Sequence, residues 1–243
     1  MMKELKEELK TISTERVYIE FSKALLTDKP SIFFEVLKAS NTLEVHFKPV
    51  FRLIGAEQPV KYHPEGDAYN HTMIVLDKVA EYTKNFDDER KLEIRFAGLV
   101  HDFGKGATPK SEYPHHYMHE QRGVDIVRKF GKELKLPERL IKCGKTSCSE
   151  HMRGGKFYEM TPQKMVKFIE RVDRSILGLD GLQLVVKADN KSAIDFDKFG
   201  RRCMNEINGE YIKKKYTIED GIQFGQKLHE ERVRWVRENK KDI

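Results

Sequence analysis

Apolar residues recur along this chain at intervals of three and four and almost nowhere alternate, so the pattern predicts helices and no sheet. Leu5, Ile12, Val17, Ile19, Phe21, Leu25 and Leu26 punctuate a charged opening stretch. "TDKPS" at 27–31 interrupts them, and "IFFEVLKAS" resumes the pattern after Pro30, which suits a helix start because its missing N–H costs little there. "FRLIGAEQPVKYHPEGDAYN" at 51–70 holds two prolines and two glycines and reads as a long loop feeding the next helix. Long loops in compact domains are commonly functional.

Beyond that loop, His71, Ile74, Val75, Val79 and Tyr82 fall at offsets 0, 3, 4, 8 and 11, one helix face, which puts His71 on the buried side of a first turn. Leu92, Phe96, Leu99 and Val100 form the stripe of a helix over 88–102, with Gly104 placed to end it. Further helices are expected over 119–134, 137–150, 161–178 and 181–190. Pro137 and Pro162 mark two of the starts, and "MRGGKF" at 152–157 marks a break. From 191, "NKSAIDFDKFGRR" reads as a loop before helices over 201–215 and 218–240. No internal repeat or low-complexity segment interrupts this all-α pattern.

Composition narrows the class. With 243 residues, 39% of them hydrophobic, the chain can bury a sizeable core. No run approaches the roughly 18 to 20 apolar residues of a membrane span, and "MMKELKEELK" is charged where a signal peptide is apolar, so a cytoplasmic location with no membrane partner is expected. Cys143, Cys148 and Cys203 cannot all pair with one another and read as free thiols, with no second cysteine pair to complete a structural zinc site. Against 39 acidic residues the 45 basic ones leave a net charge of +6, mostly solvated surface with a lean toward anionic partners.

The candidate chemistry lies in the nine histidines, at 46, 63, 71, 101, 115, 116, 119, 151 and 229. Neighbours on a helix diverge by about 100°, so His101 and Asp102 share one ion only if it lies in the angle between them. A helix end beside a glycine turn gives that ion room. His71 on a buried face, His119 with Glu120 beside it, Glu150–His151 at a helix end and Asp189 in "KADNKS" enlarge the set. Imidazole with carboxylate suits Mn, Fe, Ni, Co, Zn or Mg, so donor type alone does not choose the ion.

The series His71, His101-Asp102, Asp189, with "HDFGK" as its centre, resembles the metal-binding signature of the HD-domain phosphohydrolase superfamily. More narrowly, "ERVYIEFSKALLTDKPSIFFEVL", "QPVKYHPEGDAYNHTMIVL", "FAGLVHDFGKGATP", "HHYMHEQRGVDIV" and "KADNKS" resemble the C-terminal portion of bacterial CCA-adding tRNA nucleotidyltransferases, over roughly residues 14 to 240. The resemblance implies an all-α HD-domain helical fold with flanking N- and C-terminal helices: a neck-like segment at 1–50, the HD core at 51–195 and a C-terminal extension at 196–243. It implies one or two divalent ions on His71, His101, Asp102 and Asp189, with His119 and His151 as extra ligands or phosphate-contacting groups. Asp102 is then the natural inner ligand, and Asp102, Lys105, His119 and His151 form the catalytic set. Lys105 is placed to reach a phosphoryl oxygen, with Arg122 a second phosphate contact; His115 and His116, together with His63, fall in loops near the mouth. His46 and His229 are assigned no role.

The activity so implied is a metal-dependent phosphohydrolase of nucleotide or RNA phosphoesters, of the 2′,3′-cyclic phosphodiesterase, 2′-nucleotidase or phosphatase type, through a metal-activated water. The alternatives are an RNA- or tRNA-binding accessory module serving a separate nucleotidyltransferase head, and a hydrolase of a signalling nucleotide. That family's head carries Gly-Gly and then a D-x-D pair on a β-sheet. Here Gly154-Gly155 and Asp195-Phe196-Asp197 stand in helical surroundings, so nucleotide addition is not expected. "KKK" at 213–215, Lys240, Lys241, Lys142, Lys145 and Arg153 are candidates to track an RNA backbone, and tRNA as a partner rests on the resemblance.

Overall fold

The computed structural model describes residues 2–190 and 194–242. α1 (Met2–Lys10), α2 (Thr14–Leu26) and α3 (Ser31–Ala39) lead through two single-turn helices, α4 (Leu43–His46) and α5 (Lys48–Phe51), into the loop 52–67. α6 (Ala68–Tyr82) and α7 (Asp88–Val100) follow, then a 3-10 turn (Phe103–Ala107) and α8 (His119–Glu133). α9 (Glu138–Gly155), α10 (Pro162–Asp173) and α11 (Gly178–Asp189) complete the body around the site. α12 (Phe196–Glu206), α13 (Gly209–Lys215) and α14 (Gly221–Asn239) close the chain. The fold is all-α; extended pairing among the described residues is one isolated bridge, Glu57 to Asp67.

α7 explains why the site is rigid. Every residue from Glu93 to Val100 is buried, so this helix is covered on all sides and forms the axis of the molecule. Arg95 is only 1% exposed. Its guanidinium donates to the carbonyls of Leu25, Thr27 and Ala80 and to Thr83 Oγ1, which compensates the burial of a charge. Phe96, Leu99 and Val100 face one apolar cluster with Phe21, Phe34 and Phe47, while Ile94 and Ala97 face a second with Phe168, Val185 and Phe196. α6 divides in the same way, Met73 and Leu76 into the first cluster and Val75 and Val79 into the second.

The long loop ends on Asp67, whose Oδ1 accepts from the Asn70 amide to cap α6, while Oδ2 accepts from the Gly55 amide and ties the loop to the helix start. His71 sits in the first turn and is buried, as its periodicity predicts. Ile74 departs from that prediction: it is 42% exposed, because α6 packs against α3, α7 and α11 through a face centred on Thr72, Met73, Val75, Leu76 and Val79.

Five boundaries differ from the sequence reading. α9 runs through Gly154 and Gly155 instead of breaking at 152. A Cβ on Gly154 would lie 2.9 Å from Val186 and 3.0 Å from Phe196, so this glycine in the last turn of α9 marks a close helix contact, and the helix ends at Gly155, within the expected break. Within the loop expected from 191, α12 begins at Phe196, capped by Asp195, and Lys191, Ser192 and Ala193 lie outside the described residues. The expected helix over 201–215 divides at Asn208, whose side chain accepts from the Tyr211 amide and starts α13. α10 ends at Asp173 rather than 178, and α11 starts at Gly178, where φ is +68°.

Candidate metal centre

α7 delivers His101 and Asp102 at its C-terminal end, at 0% and 1% exposure. Gly104 does not adopt the left-handed conformation of a helix-ending glycine. It lets the 3-10 turn lie against the start of α8, since a Cβ there would stand 1.8 Å from the His119 carbonyl oxygen. That contact brings His119, the first residue of α8, toward Asp102. α6 supplies His71, α9 supplies His151 and α11 ends on Asp189.

In each imidazole one nitrogen is committed. The Nδ1–H of His101 donates to the Gly98 carbonyl at 2.8 Å, that of His119 to the His116 carbonyl at 2.9 Å, and that of His151 to the Ser147 carbonyl at 3.0 Å. His71 donates its Nδ1–H to Glu65 at 2.6 Å. A carbonyl or carboxylate can only accept, so the Nε2 atoms of His101, His119 and His151 carry the lone pairs, and all three turn toward Asp102.

The spacing forms two groups that meet at Asp102. Its Oδ2 lies 3.2 Å from His101 Nε2 and 4.0 Å from His71 Nε2, and Asp189 Oδ1 lies 2.9 Å from His71 Nε2 and 3.9 Å from His101 Nε2. Its Oδ1 lies 3.4 Å from His119 Nε2 and 3.5 Å from His151 Nε2, which are 3.4 Å from one another. Donors about 2.1 Å from a shared ion stand about 3.0 Å apart at right angles and about 4.2 Å apart when opposed, so separations of 2.9 to 4.0 Å suit ligation. His101 Nε2 and Asp102 Oδ1 are buried without a hydrogen-bond partner. Bare lone pairs facing a carboxylate in a buried site are what a cation satisfies, and the cluster has the donor set to bind a divalent metal.

The electrostatics agree. Burial opposes charge on Asp102, yet Lys105 and His101 beside it hold the carboxyl well below the usual range. Burial likewise opposes charge on Asp189, and the His71 hydrogen bond overrides it. His71 is pulled down by burial and raised further by Asp189 and Asp102, ending above the ordinary histidine value. Burial holds His119 and His116 below it.

Lys105 is 8% exposed, with Nζ 2.7 Å from Asp102 Oδ2 and a second bond to the Gln58 side-chain carbonyl. It lines a cleft of about 200 Å³ over the cluster with Asp102, His119, His151, Asp189 and Met152. His63, His115 and His116 line the same cleft, His115 from an exposed position and His116 with Nε2–H donating to the Glu57 carbonyl. Arg122 is not among the lining residues; its guanidinium is engaged by the Tyr117 carbonyl, Thr108 and Glu112. Glu150 turns away to Arg153 and Arg171.

Sequence reasoning missed Glu65 and Gln58. Glu65 contacts both His63 and His71. Its signal was the "HPEG" turn before the Asp67 cap, where Gly66, at φ +106°, folds an acidic side chain back over the helix start.

Comparison with known proteins follows the same lines. Residues 68–175 match the family model described as "HD domain", and residues 1–53 match "Probable RNA and SrmB- binding site of polymerase A". The first match contains His71, His101, Asp102, Lys105, His119 and His151 and ends before Asp189. A "Multifunctional CCA protein" of Mannheimia succiniciproducens is 32% identical over 225 residues, 90% of this chain and 54% of that protein. Proteins of the same name from Pasteurella multocida and Haemophilus influenzae are 36% identical over 193 residues and 37% identical over 223, covering 79% and 89% of this chain and 46% and 54% of theirs. The chain thus spans about half the length of the curated relatives it matches. No described helix is long and apolar enough to cross a membrane.

Proposed function

We propose, from the match of residues 68–175 to the HD domain, that the chain is a metal-dependent phosphohydrolase of nucleotide or RNA phosphoesters, of the 2′,3′-cyclic phosphodiesterase, 2′-nucleotidase or phosphatase type. The observation that carries this reading is the buried set of Nε2 lone pairs turned onto Asp102, each with its opposite nitrogen locked. His71, His101, Asp102 and Asp189 would hold one ion; Asp102, through its other oxygen, with His119 and His151 would hold a second. A divalent ion there supplies Lewis acidity to a phosphoryl oxygen and acidifies water.

The chain's own residues do the positioning. Asp102 presents one oxygen to each histidine group, and burial on α7 keeps it from swinging away. An ammonium has three N–H donors; Asp102 and Gln58 take two from Lys105, leaving one for a phosphoryl oxygen in the cleft. His115 and His116 stand at the wall where a nucleotide would enter. The match of residues 1–53 supports RNA as a partner, and with it a second reading as an RNA- or tRNA-binding module alongside a separate nucleotidyltransferase head.

The test is a substrate panel. Protein stripped of metal and reloaded with Mn, Co, Ni, Zn or Mg in turn is expected to hydrolyse 2′,3′-cyclic AMP, 2′-AMP or a generic phosphodiester, and His101→Ala to reduce turnover at least about a hundredfold. No hydrolysis under any ion, or full activity in His101→Ala, overturns the reading.

A further inference from the structure

The cleft over the cluster holds about 200 Å³, below the roughly 300 to 1,000 Å³ of ordinary small-ligand pockets, so it accommodates a reacting phosphate and little of what is attached to it. The remainder of a substrate lies outside. Met152 lines both this cleft and a neighbouring cavity of about 580 Å³, and Arg171 is shared in turn between that cavity and a third of about 490 Å³. The three are linked in sequence along α9 and α10.

Their walls are basic. α10 and the residue just past it carry Lys164, Lys167, Arg171 and Arg174 at spacings of three and four, one helix face aligned with the cavities. α9 contributes Lys142, Lys145 and Arg153 from the other side, and Lys156 follows its end. Eight cations line the two outer cavities against three carboxylates, Glu120, Glu150 and Glu159, so this face holds most of the chain's net charge of +6. Glu150 is buried and is bonded to Arg153 and, at 2.7 Å, to Arg171, pinning the two arginines across the helix pair. Both remain more than half exposed.

We propose that the α9–α10 face is a binding track for the phosphodiester backbone of a single-stranded RNA whose reacting end lies in the metal cleft, which makes an RNA terminus rather than a free mononucleotide the preferred substrate. The substrate class rests on the hydrolase reading above; the RNA-binding surface does not. A row of cations leading out of a phosphoester site favours a polymer of phosphates, since the reacting group and the backbone then share one chemistry.

The test uses the full chain, a fluorescent single-stranded RNA of about 12 nucleotides, and anisotropy between about 50 and 200 mM salt. Lys164→Glu combined with Lys167→Glu, both exposed and outside the metal cleft, is expected to weaken RNA at least tenfold and to lower the salt slope by about 1.4, about 0.7 for each lost phosphate contact. Lys142→Glu with Lys145→Glu, on α9, is expected to act in the same direction. With a 2′,3′-cyclic phosphate at the RNA terminus, the α10 pair should lower kcat/KM at least tenfold while turnover of 2′,3′-cyclic AMP stays unchanged. Equal RNA binding by wild type and both variants overturns the proposal, as does equal competition by a polyglutamate of matched charge, which would mark a surface for acidic protein. If wild type hydrolyses neither substrate while the variants still lose RNA, the hydrolase reading fails and the RNA surface stands. If cyclic AMP is hydrolysed and the RNA terminus is neither preferred nor affected by the variants, the track fails and the hydrolase reading stands.

Discussion

Each site imidazole is fixed by what its outer nitrogen does, and the fixing groups differ in strength. Backbone carbonyls hold His101, His119 and His151, whereas His71 depends on Glu65, a loop carboxylate 2.6 Å from Nδ1. Loss of such an outer partner typically costs 10- to 100-fold in metal affinity or activity. Glu65→Ala is therefore expected to weaken metal binding by about 10- to 100-fold with the helical spectrum unchanged, read by competition with a chromogenic chelator. Unaltered affinity would mean that Asp189 alone orients His71. His71, His101, Asp102 and Asp189 were legible in the sequence through their resemblance to the HD signature, with His119 and His151 as extra ligands or phosphate-contacting groups, and the fold brings all six together. Arg122 was read as a phosphate contact from its nearness to His119 in the chain. On α8 its guanidinium is taken up instead by Thr108, Glu112 and the Tyr117 carbonyl.

At the scale of elements, periodicity found the long helices and missed what glycine does in tight packing. Gly154 and Gly104 read locally as helix-end signals, but each is also small because another helix passes close by, a fact that depends on residues distant in sequence. The α12 and α13 starts carried ordinary cap signals in Asp195 and Asn208, which the loop-like composition around them obscured. α13 and α14 are joined through Glu231, 2% exposed, which accepts from Tyr216 at 2.8 Å, Lys215 at 2.9 Å and Tyr211 at 3.0 Å. Burial opposes its charge, but these donors carry its pKa down from 4.5 to about 2. A carboxyl depressed by folding stabilises above its unfolded value and loses that contribution as pH falls through the folded one. Resistance to denaturant is thus expected to fall as pH drops from 4.5 to about 2, and Glu231→Gln to be less stable at neutral pH with a flatter profile across that window. An unchanged profile would show that Glu231 is not the group that couples the C-terminal helices to pH.

For the whole molecule, the ligands come from α6, the end of α7, α8, α9 and α11, so the binding geometry exists only when both apolar clusters have formed around α7. Metal binding is then linked to folding, since an unfolded chain cannot gather these donors. The measurement that tests the central claim most directly is metal content per chain by elemental analysis, after loading with each divalent ion and desalting, in wild type and in Asp102→Asn. Wild type is expected to retain one or two ions per chain, and Asp102→Asn, which keeps the shape of the side chain but removes the charge shared by both histidine groups, to retain less than about a tenth as much. Wild type emerging free of every ion, or Asp102→Asn holding the same amount, would contradict the account.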